Sequence, residues 1–213
     1  MSSYATRAPI ATRASLVRRA KLLAWVGLAW HLTEAFIAIA AGLAASSIAL
    51  IGFGADSLIE SLAAVILIWR FAAGREDSDA AERRALRLIG LSFFVIAAYV
   101  GFEAVRSLAV GHEPGESWVG IALAAVTLAT MPPLAHAKAR IGTALHSEAT
   151  RSEGRQNLLC AYLAGALMVG LGANALLGWG WADPATALLI AGVAVNEGRA
   201  AWGGKVCCCG HPA

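Results

Sequence analysis

Charge is scarce in this chain. Asp, Glu, Lys and Arg make up 15% of its 213 residues, against about 25% in an ordinary soluble domain. The net charge of +3 is small and spread over several short segments, with no basic patch of the kind nucleic acid requires. Nucleic acid is therefore excluded as a partner. Catalytic signatures are missing as well. There is no HExxH helix and no nucleophile–base pair, so the chain is not read as an enzyme. Cysteine is limited to four residues, three of them adjacent at Cys207, Cys208 and Cys209, which is not a zinc-finger spacing. A cleavable signal is not expected. Residues 1–20 are polar and basic, and the apolar run from Leu22 to Leu43 is too long for a signal-peptide core. Apart from alanine richness there is no repeat or low-complexity tract. No soluble domain is expected after the last apolar segment, which only a short tail follows.

What the chain has is hydrophobic length. Hydrophobic residues are 58% of the total. Six apolar segments stand out, near Lys21–Leu43, Ile48–Phe71, Leu86–Val110, Ser117–His136, Gly154–Leu177 and Pro184–Trp202. Each has roughly the 20 residues that a helix needs to cross a hydrocarbon core. The expected fold class is thus all-α: a polytopic membrane protein of six transmembrane helices. The short AASS turn makes spans one and two an antiparallel hairpin. Asp183 before Pro184 reads as an N-cap with proline at the first helical position of span six, a structural role. Sixteen of the seventeen basic residues fall in the N-terminal segment, the second-to-third and fourth-to-fifth connections, and the C-terminal end; Arg106 alone lies on the other side. The positive-inside rule then places both termini in the cytoplasm. Residues 1–20 are a cytoplasmic basic tail, 21–202 the six-helix transmembrane domain, and 203–213 a cytoplasmic Cys/His tail. Trp118, Trp179 and Trp181 at outer ends, with Trp69 and Trp202 at inner ends, fit an aromatic belt. The expected location is a cell membrane, in multi-pass form, such as a bacterial inner membrane.

Acidic residues at membrane depth are the exception to this apolar pattern. Asp56 and Glu60 are four apart in GFGADSLIES of span two and share one helical face. A carboxylate at the centre of a span costs a few kcal/mol. Two on one face repel, unless a cation lies between them or one holds a proton. Span five runs the opposite way and begins SEGRQNLLCAY. Glu153, Gln156 and Cys160 form one stripe there, and Gln156 and Cys160 reach a depth similar to that of the acidic pair. Two carboxylates, an amide oxygen and a thiolate suit a borderline or soft divalent ion such as zinc or cadmium. The metal site expected from sequence is therefore Asp56, Glu60, Gln156 and Cys160.

Secondary candidates surround it. Glu34, one turn from His31 in span one, either assists ions and protons or bonds to another helix. Glu153 lies on the Cys160 stripe. Cys207, Cys208, Cys209 and His211 in the tail can capture a soft metal, with cysteine palmitoylation as the rival reading. Glu103 and Arg106 are three apart and expected to pair. Asn174 is expected to bond between helices.

The residues SSIALIGFGADSLIES resemble the second span of cation diffusion facilitator transporters, and ADPATALLIAG resembles the opening of their sixth. The resemblance runs from about His31 to Trp202. It implies a six-helix bundle with a mid-membrane divalent-metal site between spans two and five, and metal export driven by protons moving inward. Two departures stand out. Family zinc transporters carry His and Asp four apart on span five, where this chain has Gln156 and Cys160. The family's cytoplasmic domain after span six is missing, as in a short branch. The expected function is a secondary transporter exporting a divalent transition metal, zinc first, in exchange for protons. It would have no tightly bound cofactor, and its partners would be metal ions, protons, the lipid bilayer and a second copy in a homodimer. The alternative is a non-transporting metal sensor or assembly partner that uses the Cys-rich tail.

Overall fold

The computed structural model describes residues 10–72, 79–111, 113–145 and 148–203. Six helices and no strand are found among them: α1 (Ile10–Ala45), α2 (Ile48–Ala72), α3 (Asp79–Val110), α4 (Trp118–Leu145), α5 (Glu148–Leu177) and α6 (Ala182–Trp202). Four contain stretches long and apolar enough to cross a membrane: Ser15–Ala45, Arg87–Val110, Trp118–Leu145 and Glu153–Leu177. The chain is thus an all-α polytopic membrane protein, with α2 and α6 packed among these four. Three helices start well before their apolar segments. α1 takes in part of the basic N-terminal segment, and α3 begins inside REDSDAAERR. Cys207, Cys208, Cys209 and His211 lie outside the described residues.

Packing sorts the helices into three close pairs, α1 with α2, α4 with α5, and α3 with α6. α1 also packs on α4, and α2 on α5, so these four close into a ring. The α3–α6 pair seals it through contacts of both helices with α2 and of α6 with α5. The main core lies inside, around Phe53, Leu50, Met131, Leu163, Leu167 and Ile190. Outside, the surface is apolar. Phe36 is 76% exposed and Val169 69% exposed, with Phe102, Val95 and Leu62 also open. Hydrocarbon, not water, is the solvent that such a surface fits.

Small residues set how closely α2 approaches its partner. A Cβ on Gly54 would lie 2.8 Å from Ile39 and 3.1 Å from the Ala35 carbonyl oxygen, so only glycine permits this contact with α1. The α1–α2 turn is two residues, and Ser46 takes a left-handed φ of 52° to make it. Ser47 caps α2 through its Oγ, which accepts from the Leu50 N–H at 3.1 Å.

Asp183 differs from its expected role. It lies inside the first turn of α6, whose N-cap is Trp181 with no side-chain cap bond. Its carboxylate turns away to α2 and accepts from the Ile48 N–H at 3.0 Å, from the Ala49 N–H and from Ser47 Oγ. Asp183 is a capping residue, but of a helix more than a hundred positions away. The short reach from α6 to the exposed amides of α2 makes this possible. Asn174 also binds elsewhere than expected: its amide donates to the Pro114 carbonyl in the α3–α4 connection at 3.0 Å. Glu103 and Arg106 pair as expected, at 2.7 Å.

α4 carries Pro132 and Pro133 in mid-helix. Prolines have no N–H, so the carbonyls of Leu128 and Ala129 lose their ordinary helical donors. The helix itself continues through both prolines, between Thr127 and Lys138, two polar residues of the buried interior.

Candidate metal centre

Glu34 is the point where four helices meet. It is 1% exposed. Ser57 of α2 donates to its Oε2 at 2.9 Å, and Thr127 of α4 donates to its Oε1. The Cys160 thiol of α5 points at Oε2 from 3.6 Å, and His31 Nδ1, one turn back on α1, lies 3.4 Å from the same oxygen. One ligand atom each from His31, Glu34 and Cys160 fall within 4.8 Å of one another, and all three residues are buried. Histidine nitrogen, carboxylate oxygen and thiolate sulfur are the three donor types that zinc takes from proteins.

Glu60 extends the group inward. Its Oε2 lies 3.2 Å from His31 Nδ1, yet that oxygen is buried without a hydrogen bond among the described residues. A buried carboxylate oxygen with an imidazole beside it but no hydrogen bond is costly, and a cation is one means of satisfying it. Asp56, 6% exposed, completes the acidic set and interacts electrostatically with Glu34 and with Glu197 of α6. Glu197 of α6 is thus close enough to act on the buried carboxylates.

Three of the four residues expected to hold metal are buried in this region: Asp56, Glu60 and Cys160. Gln156 stands apart. It is half-buried, while its neighbour Asn157 is 2% exposed and faces inward. The interior stripe of α5 runs Gly154, Asn157, Cys160, Ala161, Ala164, so four-residue spacing from Cys160 lands Gln156 at its edge. Glu153, on the same side of α5, pairs with Lys138 at 3.3 Å.

Two partners of the centre were not singled out from sequence, and a third, His31, was noticed only as the neighbour of Glu34. Ser57 and Thr127 carry no sequence mark, because hydroxyls within spans usually bond their own helix carbonyl four residues back. Ser57 does this too, donating to Phe53 O at 3.2 Å. The spacing of His31 and Glu34 was the available signal: two polar groups one turn apart, deep in an apolar span.

No known family profile matches the chain. It is similar to an uncharacterized transporter of Synechocystis sp., 25% identical over 150 residues, which is 67% of this chain and 48% of that protein. The chain thus spans about half the length of that relative.

Proposed function

We propose that this chain is a secondary transporter that carries a divalent transition-metal cation, zinc foremost, outward across a membrane in exchange for protons. The observation that carries the proposal is the enclosed donor set of His31, Glu34 and Cys160, with the unsatisfied Glu60 oxygen beside it. The likeness to a transporter supports it, as does the resemblance of the second and sixth helices to cation diffusion facilitators. Glu34, a secondary candidate from sequence, takes the place of Gln156 in the ligand set in this reading, and Asp56 supplies further negative charge. Four helices meet at the ion, so their relative tilt decides which side it faces. Protons and metal compete for the same carboxylates and thiolate, because each ligand binds metal only when deprotonated. That competition couples the two fluxes.

The test is flux into vesicles holding the purified chain, with zinc, cadmium, cobalt, manganese and iron offered in turn, with and without a pH gradient. Zinc flux should fall at least about a hundredfold in Glu34→Gln and in Glu60→Gln, in line with loss of a first ligand. Both variants should remain folded by thermal denaturation in detergent. Wild-type rates in both variants would overturn the assignment.

A further inference from the structure

Inward of the metal centre the buried polar groups continue. Glu60 lies one turn inward of Ser57, and His31 one turn inward of Glu34. Next comes Lys138 of α4, only 4% exposed. Its ammonium donates to Asn157 Oδ1 at 2.9 Å and lies 3.3 Å from Glu153 Oε2. Asn157 in turn donates to Met131 Sδ at 3.0 Å, which fixes the orientation of its amide. The lysine crosses to α1 as well: a Cβ on Gly27 would come within 2.9 Å of Nζ, so glycine at that position makes room for the ammonium. Gly27 is seven residues inward of Glu34, about 10 Å along α1. Lys138 therefore spans the gap between α1, α4 and α5 at the inner end of the polar column. Sequence counting placed this residue in a cytoplasmic connection; the structure buries it, because α4 runs on to Leu145.

We propose that Lys138 is a tethered cation that bars the inner end of this column to free cations, and that it must leave this position each time a metal ion passes between the centre and the inner side. The inference rests on the transport reading above and adds the residue that gates it. The donors around the ammonium have the character of a cation station: a carboxylate and an amide oxygen, with Glu153 Oε1 buried and unbonded among the described residues. Lys138 also acts electrostatically on Glu60, so its charge is felt at both ends of the gap. A free divalent ion arriving from inside meets a fixed positive charge where it would otherwise find oxygen ligands. Glu153 holds the lysine back from Glu60, which leaves the centre's carboxylates to the metal.

A buried ion pair can be merely structural, and replacing it with apolar residues is then often neutral. The decisive readout is therefore charge selectivity. With Cys207, Cys208 and Cys209 replaced by serine, Cys160 is the only thiol in the full-length chain. In membrane vesicles, cationic and anionic methanethiosulfonate reagents of similar size are added from the side on which α1 and α5 begin. In Lys138→Met the ratio of cationic to anionic rates should rise at least about tenfold, the scale on which a charged cleft concentrates ions. Lys138→Arg should keep the unsubstituted ratio. Lys138→Gln serves the same purpose should the methionine variant fail to fold. An unchanged ratio, or an equal rise for both reagents, overturns the proposal. Labelling needs neither metal nor flux. Absence of zinc flux in the unsubstituted protein would sink the transport reading and with it the passage of metal past Lys138, leaving the charge barrier to the labelling ratio, whereas flux with an unaltered labelling ratio would sink only the lysine gate.

Discussion

Glu34 joins α1, α2, α4 and α5 through a single carboxylate, and that economy has consequences for substitution. Of its hydroxyl partners Ser57 and Thr127, which donate to different oxygens, one can donate to an amide oxygen and the other can accept from the amide NH2. Glutamine at position 34 should therefore preserve much of the fold while removing the charge that a metal needs. Cys160 offers a separate test. It is fully buried, with its sulfur 3.6 Å from Glu34 Oε2. A thiolate favours soft ions, and a serine hydroxyl does not. Cys160→Ser should lower cadmium flux at least about tenfold more than zinc flux, a preference set by ligand softness. The measurement is the ratio of the two fluxes in one vesicle preparation; an unchanged ratio would remove sulfur from the ligand set. Of these residues, sequence singled out Asp56, Glu60 and Cys160, because charge and sulfur are conspicuous in an apolar span. Gln156 lies at the edge of the inward stripe and not within it, because spacing fixes which residues share a stripe and not which stripe faces inward.

At the scale of the helix, two features set how elements meet. Asp183 on α6 caps α2, so removing it should unfasten two elements at once. Asp183→Ala should destabilise the bundle by about 1–2 kcal/mol, the upper part of the range for lost caps. A thermal denaturation series in detergent reads this directly. Because Asp183 lies at the outer ends of the helices, the order of preference among metals should not change. The second feature is the Pro132–Pro133 pair inside α4. Proline costs about 3 kcal/mol relative to alanine in a helix interior, so two in sequence mark a locally weakened segment of the continuous α4. Below the pair α4 carries Lys138, and above it Thr127, which holds Glu34. Replacing both prolines with alanine should raise thermal stability and slow zinc flux, since an unweakened helix can no longer move its inner half independently. Faster or unchanged flux would rule out such a hinge. The prolines were visible in the sequence, but their meaning depends on what lies on either side, and that is a tertiary fact.

For the whole molecule, exchange of metal for protons predicts a sign. Deprotonated ligands bind metal, so uptake should increase as the pH on the loading side rises and decrease as it falls. Reversing an imposed pH gradient should reverse the direction of zinc accumulation. Flux indifferent to the gradient would leave a uniporter or channel in place of an exchanger. The exposed apolar belt fits a lipid bilayer, and Trp179 and Trp181 stack 5.5 Å apart in the α5–α6 connection.

Sequence by itself determined the class of the protein. Runs of about 20 apolar residues can satisfy their backbone in lipid only as helices, so element type and number follow from hydropathy alone. It also determined that acidic groups lie at depth, since their cost in hydrocarbon makes them stand out. Tertiary structure alone decided the rest. It made Glu34 the residue that joins four helices, sent the Asp183 carboxylate to α2, and drew Lys138 out of an assumed loop into the interior. The physical reason is common to all three. Helical periodicity orders residues along and around one axis, but the rotation of each helix against its neighbours is set by packing at residues such as Gly27 and Gly54, which hydropathy does not register.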